Sequence, residues 1–286
     1  MLRQRALSAA VLVPPLLVVL VLGEPWIALL IGLLVAGAAW ETFRLLRATG
    51  SSVLTMLGIV LALGLAAAVA VDALPAVVPA LAPVIVSVAP VLVAVAVVLA
   101  AVGSFGRPDP RDGFATWIAT TFGALYAALL GFVVALGAVG PEPAPNAPLA
   151  ALGSDRGWIV VLVLVVWTFD TAAYFVGSRI GGPRFLEHIS PSKTWAGLLG
   201  GLAGSTIAGT VLVSALGHGW LAGAGLGAVV GAAAQAGDLA ESMLKRAAGV
   251  KDSGNLIPGH GGLLDRVDSF LFAAPVATLY VLSVFR

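Results

Sequence analysis

Long apolar segments recur along the whole chain and are separated by short polar stretches. A segment of about 20 apolar residues is long enough for a helix to cross the hydrocarbon core of a bilayer. The candidate segments are 7–23, 26–46, 53–71, 80–103, 115–139, 158–179, 196–216, 219–246 and 264–285. The pattern therefore predicts an all-α, polytopic membrane protein with about nine transmembrane helices.

The composition agrees with a lipid environment. Of the 286 residues, 60% are hydrophobic and only 10% are charged, and the mean hydropathy is +1.06. An ordinary soluble domain is about 25% charged. The net charge of +1 and the lack of a basic run give no indication of a nucleic-acid partner. Because the chain has no cysteine, disulfides, thiol catalysis and zinc sites built with cysteine are excluded.

The distribution of lysine and arginine orients the predicted helices. The first apolar segment resembles a signal peptide, but the Pro14-Pro15 pair interrupts it and no clean cleavage site precedes Glu24, which favours a retained helix. With the N-terminus in the cytoplasm, thirteen Lys and Arg residues lie on the cytoplasmic side, against Arg156 and Arg286 outside. Nine helices then place the C-terminus outside, and the polar loops 178–195 and 247–263 face the cytoplasm.

A Pro-rich segment at 140–157 divides the chain into two parts of different character. We predict transmembrane helices in 1–139, an irregular outside loop in 140–157, and a catalytic transmembrane region in 158–286, where most of the intramembrane polarity lies. Closely spaced alanine and glycine residues in the seventh and eighth segments predict tight packing between helices.

Two aspartates lie inside apolar segments. Asp170 and Asp238 are each eight or nine residues from the cytoplasmic end of their segment. A charged side chain at the bilayer centre costs about 2.5–3.5 kcal/mol on insertion scales. Their similar depth indicates a shared aqueous cavity, and a structural ion pair is the alternative. Asp238, Ser242 and Lys245 follow an i, i+4, i+7 pattern on one helix face, although Lys245 also has the spacing to pair with Glu241.

A second acidic pair begins the ninth segment. Asp265 and Asp268 are three residues apart and therefore share one face of a helix. Two close carboxylates repel each other unless a cation lies between them, and their hard oxygen atoms suit Mg²⁺. Compensation of the helix dipole is the alternative. The segment predicts a Mg²⁺ site near the start of this helix.

Glycine and positive charge precede that helix. A glycine-rich turn lets backbone N–H groups contact an anion at a helix N-terminus, so this turn, with the nearby cations, predicts a polyphosphate–metal site in which His260 binds phosphate or transfers protons. Before the seventh segment, Lys193 and the hydroxyl groups of Ser190, Ser192 and Thr194 are further phosphate-binding candidates. Anchoring of this loop at the membrane interface by Lys193 and Trp195 is the alternative.

These motifs resemble the phosphatidate cytidylyltransferases, also called CDP-diacylglycerol synthases. The family pattern Ser-x-x-Lys-Arg, Lys-Asp, Pro-Gly-His-Gly-Gly and Asp-Arg-x-Asp is complete from Ser242 through Asp268. The Gly-Asp-Leu-x-Glu-Ser element begins at Gly237, and the Asp-Thr-x-Ala-Tyr-x-x-Gly element begins at Asp170. One departure lies in the loop before the seventh segment, where Ser192 and Ala196 replace a lysine and a glutamate of the family pattern.

The resemblance implies transfer of CMP from CTP to phosphatidic acid, which yields CDP-diacylglycerol and pyrophosphate in phospholipid biosynthesis. It implies a divalent cation such as Mg²⁺, with two cations as an alternative, and a homodimer in the cell (inner) membrane with its active site facing the cytoplasm. The metal-site candidates are Asp238, Ser242, Asp265 and Asp268. The catalytic candidates are Asp265, Asp268, Asp238 and Lys245. The substrate-binding candidates are Lys193, Ser190, Thr194, Arg246, Lys251, Asp252, Gly259, His260, Gly261, Gly262, Arg266 and Asp170.

Two other functions are compatible with the residues alone. A CTP-dependent kinase or cytidylyltransferase acting on a polyprenyl or ether lipid needs a similar site and differs only in its acceptor. A cation-coupled transporter would use Asp170 and Asp238 as ion ligands and predicts inverted repeats, which the sequence does not show. A P-loop and a Rossmann fingerprint are both absent from the sequence.

Overall fold

The structure is a computed structural model that describes residues 14–73, 87–256 and 261–285. The helices with defined bounds are α1 (Trp26–Ala48), α2 (Thr55–Ala73), α3 (Val88–Ser104), α4 (Pro110–Ala128), α5 (Phe132–Val139), α6 (Gly153–Ile180), α7 (Trp195–Ala215), α8 (Trp220–Ala247) and α9 (Leu264–Val284). Residues 14–22 are also helical. The described ranges contain no β-strand, so the predicted all-α class is confirmed.

Seven helical segments of the described chain are long and apolar enough to cross a membrane. They correspond to α1, α2, α4 joined to α5, α6 with the turn before it, α7, α8 and α9. Helix α3 is apolar but shorter, and the predicted segments 7–23 and 80–103 lie partly outside the described residues. The polytopic membrane architecture is confirmed, whereas the count of nine and the orientation stay predictions.

The Pro-rich connection is shorter than predicted, because α6 begins at Gly153 after a 3₁₀ turn at Ala150–Leu152. Backbone hydrogen bonds hold this connection to the end of α7. Ala144 N donates to Leu216 O over 2.9 Å, and Leu149 N donates to Ala215 O over 2.9 Å. The segment is therefore packed against the second half of the chain.

The chain forms two compact units. Unit 1 comprises Met1–Ala135 and Leu244–Val267, and unit 2 comprises Leu136–Met243 and Asp268–Arg286. The predicted division of the chain at 140–157 into N-terminal helices and a catalytic region stays a prediction. The described residues between α8 and α9, 248–256 and 261–263, are called the polar segment below; they pack against α1 and belong to the same unit as the N-terminal helices.

Unit 1 is organised around a fully buried aromatic side chain on α1. Phe43 has 0% of its surface exposed and packs against glycines of α2 and α4. A Cβ atom at Gly123 would lie 2.5 Å from Phe43 Cε1, and one at Gly58 would overlap the same ring. These glycines let the three helices approach around the ring, which fixes the position of α1 in the unit.

Unit 2 is organised around close contacts between α7 and α8. A Cβ atom at Gly223 would lie 2.6 Å from Gly209 O, and one at Gly209 would lie 2.7 Å from Gly227 Cα. Backbones approach this closely only where small residues face each other. The structure confirms the tight packing that the alanine and glycine spacing predicts.

A histidine between α7 and α8 lies in an aromatic cluster of unit 2. The His218 ring centroid is 5.5 Å from that of Trp158 and 5.3 Å from that of Phe285. Burial lowers the pKa of His218 below its ordinary value of 6.5, and a hydrogen bond with the Pro141 carbonyl partly opposes this effect. The cluster therefore favours the neutral imidazole.

We expect His218 to make unit 2 less stable in mild acid. Both folded and unfolded states hold a neutral imidazole above pH 6.5. As the pH falls through that value, the unfolded state binds the proton first, so stability falls until the lower folded pKa is passed. Thermal unfolding in detergent at about pH 7.5 and about pH 5.5 measures this effect. His218→Phe keeps the aromatic contact and should show a smaller decrease, whereas an equal decrease in both proteins contradicts the assignment.

Candidate active site

An ion pair between Lys193 and Asp238 forms the first polar cluster, in unit 2. The loop between α6 and α7 folds back on itself, since Phe185 N donates to Lys193 O over 3.2 Å and Trp195 N donates to Pro183 O over 3.1 Å. This fold directs the Lys193 ammonium group to the Asp238 carboxylate on α8, and the two side chains are 18% and 31% exposed. In a partly buried pair of this kind, an anionic ligand can take the place of the carboxylate beside the lysine.

Ser242 contacts Asp238, and the backbone of Asp268 passes beside Gly237, the residue before Asp238. Ser242 Oγ, one turn along α8, donates to Asp238 Oδ1 over 3.3 Å. Gly237 faces the backbone of α9, and a Cβ atom there would lie 2.5 Å from Asp268 O. Asp268 Oδ1 accepts a hydrogen bond from Ser269 N over 2.7 Å. The residues Lys193, Asp238, Ser242 and Asp268 are called the Asp238 cluster below.

The donor chemistry of the Asp238 cluster fits Mg²⁺. This ion is usually held by one or two carboxylates together with substrate phosphates and water, rather than by a cage of protein ligands alone. The cluster offers two carboxylates and one hydroxyl group. The described part of the chain holds no group of three or more His, Asp or Glu side chains placed to bind a metal by themselves. The metal and its ligand set stay predictions.

Of three further predicted residues of unit 2, Thr194 and Ser190 lie on the loop before α7 and Asp170 lies within α6. Thr194 is the N-cap of α7, where its hydroxyl accepts from Gly197 N over 3.1 Å. Ser190 is half-buried, and its backbone N donates to Leu186 O over 3.0 Å. Asp170 lies exposed on α6. Thr194 thus has a structural role, and phosphate binding by these residues, like the cavity predicted to join Asp170 to Asp238, stays a prediction.

The Asp265 carboxylate is the centre of a second polar cluster, in unit 1. Asp265 Oδ1 accepts from Lys245 Nζ over 2.6 Å. Asp265 Oδ2 accepts from Ser253 N and Gly262 N, each over 2.8 Å, and lies 2.8 Å from Ser253 Oγ. The side chains of Lys245 and Asp265 are only 11% and 6% exposed. Lys245, Ser253, Gly262 and Asp265 are called the Asp265 cluster.

This arrangement gives Asp265 a role that its spacing alone did not predict. Its carboxylate joins the end of α8, the polar segment after α8 and the first turn of α9. Oδ2 accepts from two backbone N–H groups and lies beside the Ser253 hydroxyl, so the carboxylate organises the polar segment whether or not it also contacts a cation. Binding of a metal by Asp265 stays a prediction.

A glutamate of α1 that the sequence analysis missed completes the surroundings of the Asp265 cluster. Glu41 is 4% exposed, and its Oε2 accepts from Leu264 N over 2.8 Å and lies 2.8 Å from Ser253 Oγ. Its Oε1 accepts from Leu263 N over 3.1 Å. The sequence analysis missed Glu41 because, close to Arg44, it resembles a charged residue at the membrane interface. The available signal was a single acid within an apolar helix, which is costly and indicates function.

The remaining predicted residues of unit 1 surround the polar segment. Arg246 and Lys251 are exposed, and Arg246 NH1 donates to Val250 O over 3.0 Å. Asp252 and Arg266 are also exposed, whereas Gly261 adopts a positive φ of 81°. Gly259 and His260 lie outside the described residues. Exposed cations beside this segment are suited to an anionic ligand, and that role stays a prediction.

Comparisons with known proteins agree with the motifs. The sequence model of the cytidylyltransferase family matches residues 3–284. A phosphatidate cytidylyltransferase of Brucella suis is 48% identical over 125 residues, which cover 43% of this chain and 46% of the relative. One from Synechocystis is 48% identical over 123 residues, covering 41% and 40%. The chloroplastic phosphatidate cytidylyltransferase 4 of Arabidopsis thaliana is 40% identical over 191 residues, covering 61% and 48%.

These alignments and the family match carry different weight. The chain spans about half the length of the curated relatives that it matches. The family match, by contrast, extends over nearly the whole chain, including both polar clusters and helix α1, which carries Glu41. By this match and by its helical membrane architecture, the chain belongs to the cytidylyltransferase family.

Proposed function

We propose that the protein is a phosphatidate cytidylyltransferase that converts CTP and phosphatidic acid into CDP-diacylglycerol and pyrophosphate. The observation that carries the proposal is the placement of the family motif in a membrane protein. Within residues 242–268, Lys245 and Asp265 form a largely buried ion pair, and Lys193 and Asp238 form a partly buried one outside that range, in a chain that has very few charges. A lipid substrate in the bilayer and a charged nucleotide in water require such polar groups within a membrane domain.

The reaction needs charge stabilisation more than a strong base. A phosphate oxygen of phosphatidic acid attacks the α-phosphorus of CTP, a new P–O bond forms, and the bond to the β-phosphate bridging oxygen breaks to release pyrophosphate. Because a phosphate monoester is already anionic near pH 7, no side chain must remove a proton from it. Positioning and stabilisation of developing charge then account for most of the catalysis.

The chain's own residues have different parts in this work. Lys193 leaves its partner Asp238 to contact phosphate oxygens, while Lys245 holds the Asp265 carboxylate in place. Asp238, Ser242 and Asp268 are the residues that would hold Mg²⁺, which supplies charge neutralisation on the triphosphate when bound. Arg246 and Lys251 attract the nucleotide from solution by their exposed charge.

The proposal extends to location and assembly. We propose that the protein lies in the inner membrane of a bacterial cell. The excess of lysine and arginine in alternate loops supports an active site that faces the cytoplasm. A homodimer is proposed from the family resemblance alone.

An assay with labelled CTP tests the proposed function. The protein purified in detergent should transfer the α-phosphorus of CTP to phosphatidic acid in the presence of Mg²⁺, and it should release the γ-phosphorus in pyrophosphate. Lys193→Gln should lower this rate about 100-fold because it removes one stabilising charge. Arg184→Gln, in the same loop but exposed and paired with Glu187, is the matched control and should keep the wild-type rate.

The outcomes separate the alternatives. Transfer of the γ-phosphorus to a lipid indicates a kinase, and nucleotide transfer to a polyprenyl or ether lipid but not to phosphatidic acid indicates a different acceptor. Failure of the wild-type protein to form any nucleotide–lipid product contradicts the proposed function.

A further inference from the structure

We propose that Glu41 is a positioning residue for the proposed reaction, through which α1 holds the Asp265 cluster in its active geometry. The catalytic part of this inference rests on the proposed function, whereas the structural part does not. Glu41 lies outside the motif from Ser242 to Asp268 and is separated from Ser253 by 212 residues. It contacts the segment that connects the two halves of that motif.

The Glu41 carboxylate accepts hydrogen bonds from backbone N–H groups at the start of α9, which have no acceptor within that helix. The first N–H groups of a helix have no acceptor within that helix. Here Leu263 N and Leu264 N donate to the two oxygen atoms of Glu41 over 3.1 Å and 2.8 Å. Because only 4% of the surface of Glu41 is exposed, water cannot accept these two hydrogen bonds in its place.

The polar segment is shaped to the carboxylate. A Cβ atom at Gly262 would lie 2.6 Å from Glu41 Oε1, and one at Gly254 would lie 2.9 Å from Glu41 Cδ. Any larger residue at either position would push the segment away from α1. The two glycines therefore let the backbone close around Glu41.

Ser253 transmits the position of Glu41 to Asp265. Its hydroxyl oxygen is 2.8 Å from Glu41 Oε2 and 2.8 Å from Asp265 Oδ2, so the two carboxylates share its single proton. Arg44, one turn after Glu41 on α1, donates to Ser253 O. Helix α1 thus holds Ser253 by its side chain and by its backbone, and Ser253 in turn fixes Asp265, the partner of Lys245.

Glu41→Gln tests this inference because a glutamine keeps the shape of the side chain. Its amide has only one acceptor oxygen, so its NH₂ group must face one of the donors Leu263 N and Leu264 N. We expect amide hydrogen exchange at 263–264 to become at least about tenfold faster. We also expect kcat/KM for CTP to fall about 100-fold, with a rise in KM, since displacement of about 1 Å has effects of this size.

A neighbour on the same helix provides the matched control. Thr42 is fully buried, and its Oγ1 has no hydrogen-bond partner among the described residues, so Thr42→Val is isosteric and removes no bond. It should leave exchange at 263–264 and KM unchanged. A smaller folded fraction lowers only the maximal rate, so a change in KM separates positioning from general destabilisation.

A second variant keeps the test valid if Glu41→Gln does not fold. Ser253→Ala removes the bridging hydroxyl but retains the bond from Ser253 N to Asp265, and it should raise KM for CTP by a smaller factor. Unchanged exchange at 263–264 in Glu41→Gln overturns the structural part, and faster exchange with unchanged KM and kcat overturns the positioning role. If the wild-type protein makes no CDP-diacylglycerol, the proposed function fails while the exchange comparison still decides whether Glu41 anchors α9.

Discussion

Replacement of Asp265 by Asn is expected to reduce CDP-diacylglycerol synthesis about 1,000-fold while leaving membrane insertion intact. The carboxylate pairs with Lys245 over 2.6 Å and accepts two backbone N–H bonds of 2.8 Å. An asparagine has one acceptor oxygen and one NH₂ group. Its NH₂ group is itself a donor, and it must face either Lys245 or the backbone donors. Loss of the negative charge also leaves the Lys245 ammonium group, in a residue only 9% exposed, without its acidic partner at Asp265.

The same substitution should lower stability, because breaking a buried ion pair by removing one partner costs about 3–5 kcal/mol. The double variant Lys245→Met/Asp265→Asn separates the two effects. It removes the buried positive charge as well, so thermal unfolding in detergent should recover in part while activity does not. Recovery of activity together with stability would show that Asp265 acts through folding alone.

Asp112→Asn is the control for Asp265→Asn. Asp112 is an exposed aspartate of α4 in the same unit, and its substitution removes the same charge without touching the Asp265 cluster. It should retain the wild-type rate and stability. A fully active Asp265→Asn protein contradicts both the predicted metal role and the organising role that the structure assigns to this carboxylate.

Replacement of Gly227 by Ala is expected to destabilise unit 2 by about 2–3 kcal/mol, the upper part of the usual range for overpacking. A Cβ atom at this position would overlap the backbone carbonyl oxygen of Ser205 and would lie 2.8 Å from Thr206 Cα. Backbone atoms of a helix cannot rotate away as the end of a flexible side chain can. Helices α7 and α8 must therefore separate along the contact.

Gly64→Ala provides the comparison for Gly227→Ala. Gly64 lies in α2, and a Cβ atom there would meet no atom within 4 Å. Alanine is favoured over glycine in a helix by about 1 kcal/mol, so this change should be neutral or stabilising. Thermal unfolding followed by circular dichroism in detergent measures both variants. Equal unfolding temperatures for Gly227→Ala and the wild-type protein contradict the close contact of α7 and α8.

Several features of the protein follow from the sequence because they depend on local pattern. The length and hydrophobicity of the apolar segments predict helices in a membrane, and the structure confirms this architecture. The close spacing of alanine and glycine in the seventh and eighth segments predicts the close contact of α7 and α8, since the faces of a helix follow from its period. Ser242 lies one turn from Asp238 for the same reason, and its hydroxyl group does contact that carboxylate.

The choice of partners for the charged groups required the tertiary structure. The spacing along α8 allowed Lys245 to pair with Glu241, but it did not indicate the bond from Lys245 to Asp265 or the pairing of Asp238 with Lys193, from a loop 45 residues away. Glu41 reaches Ser253 across 212 residues. Periodicity specifies which residues share a helix face, but it does not specify which helix or loop packs on that face. That selection depends on the combined burial of many side chains, and it decided which carboxylate organises the polar segment.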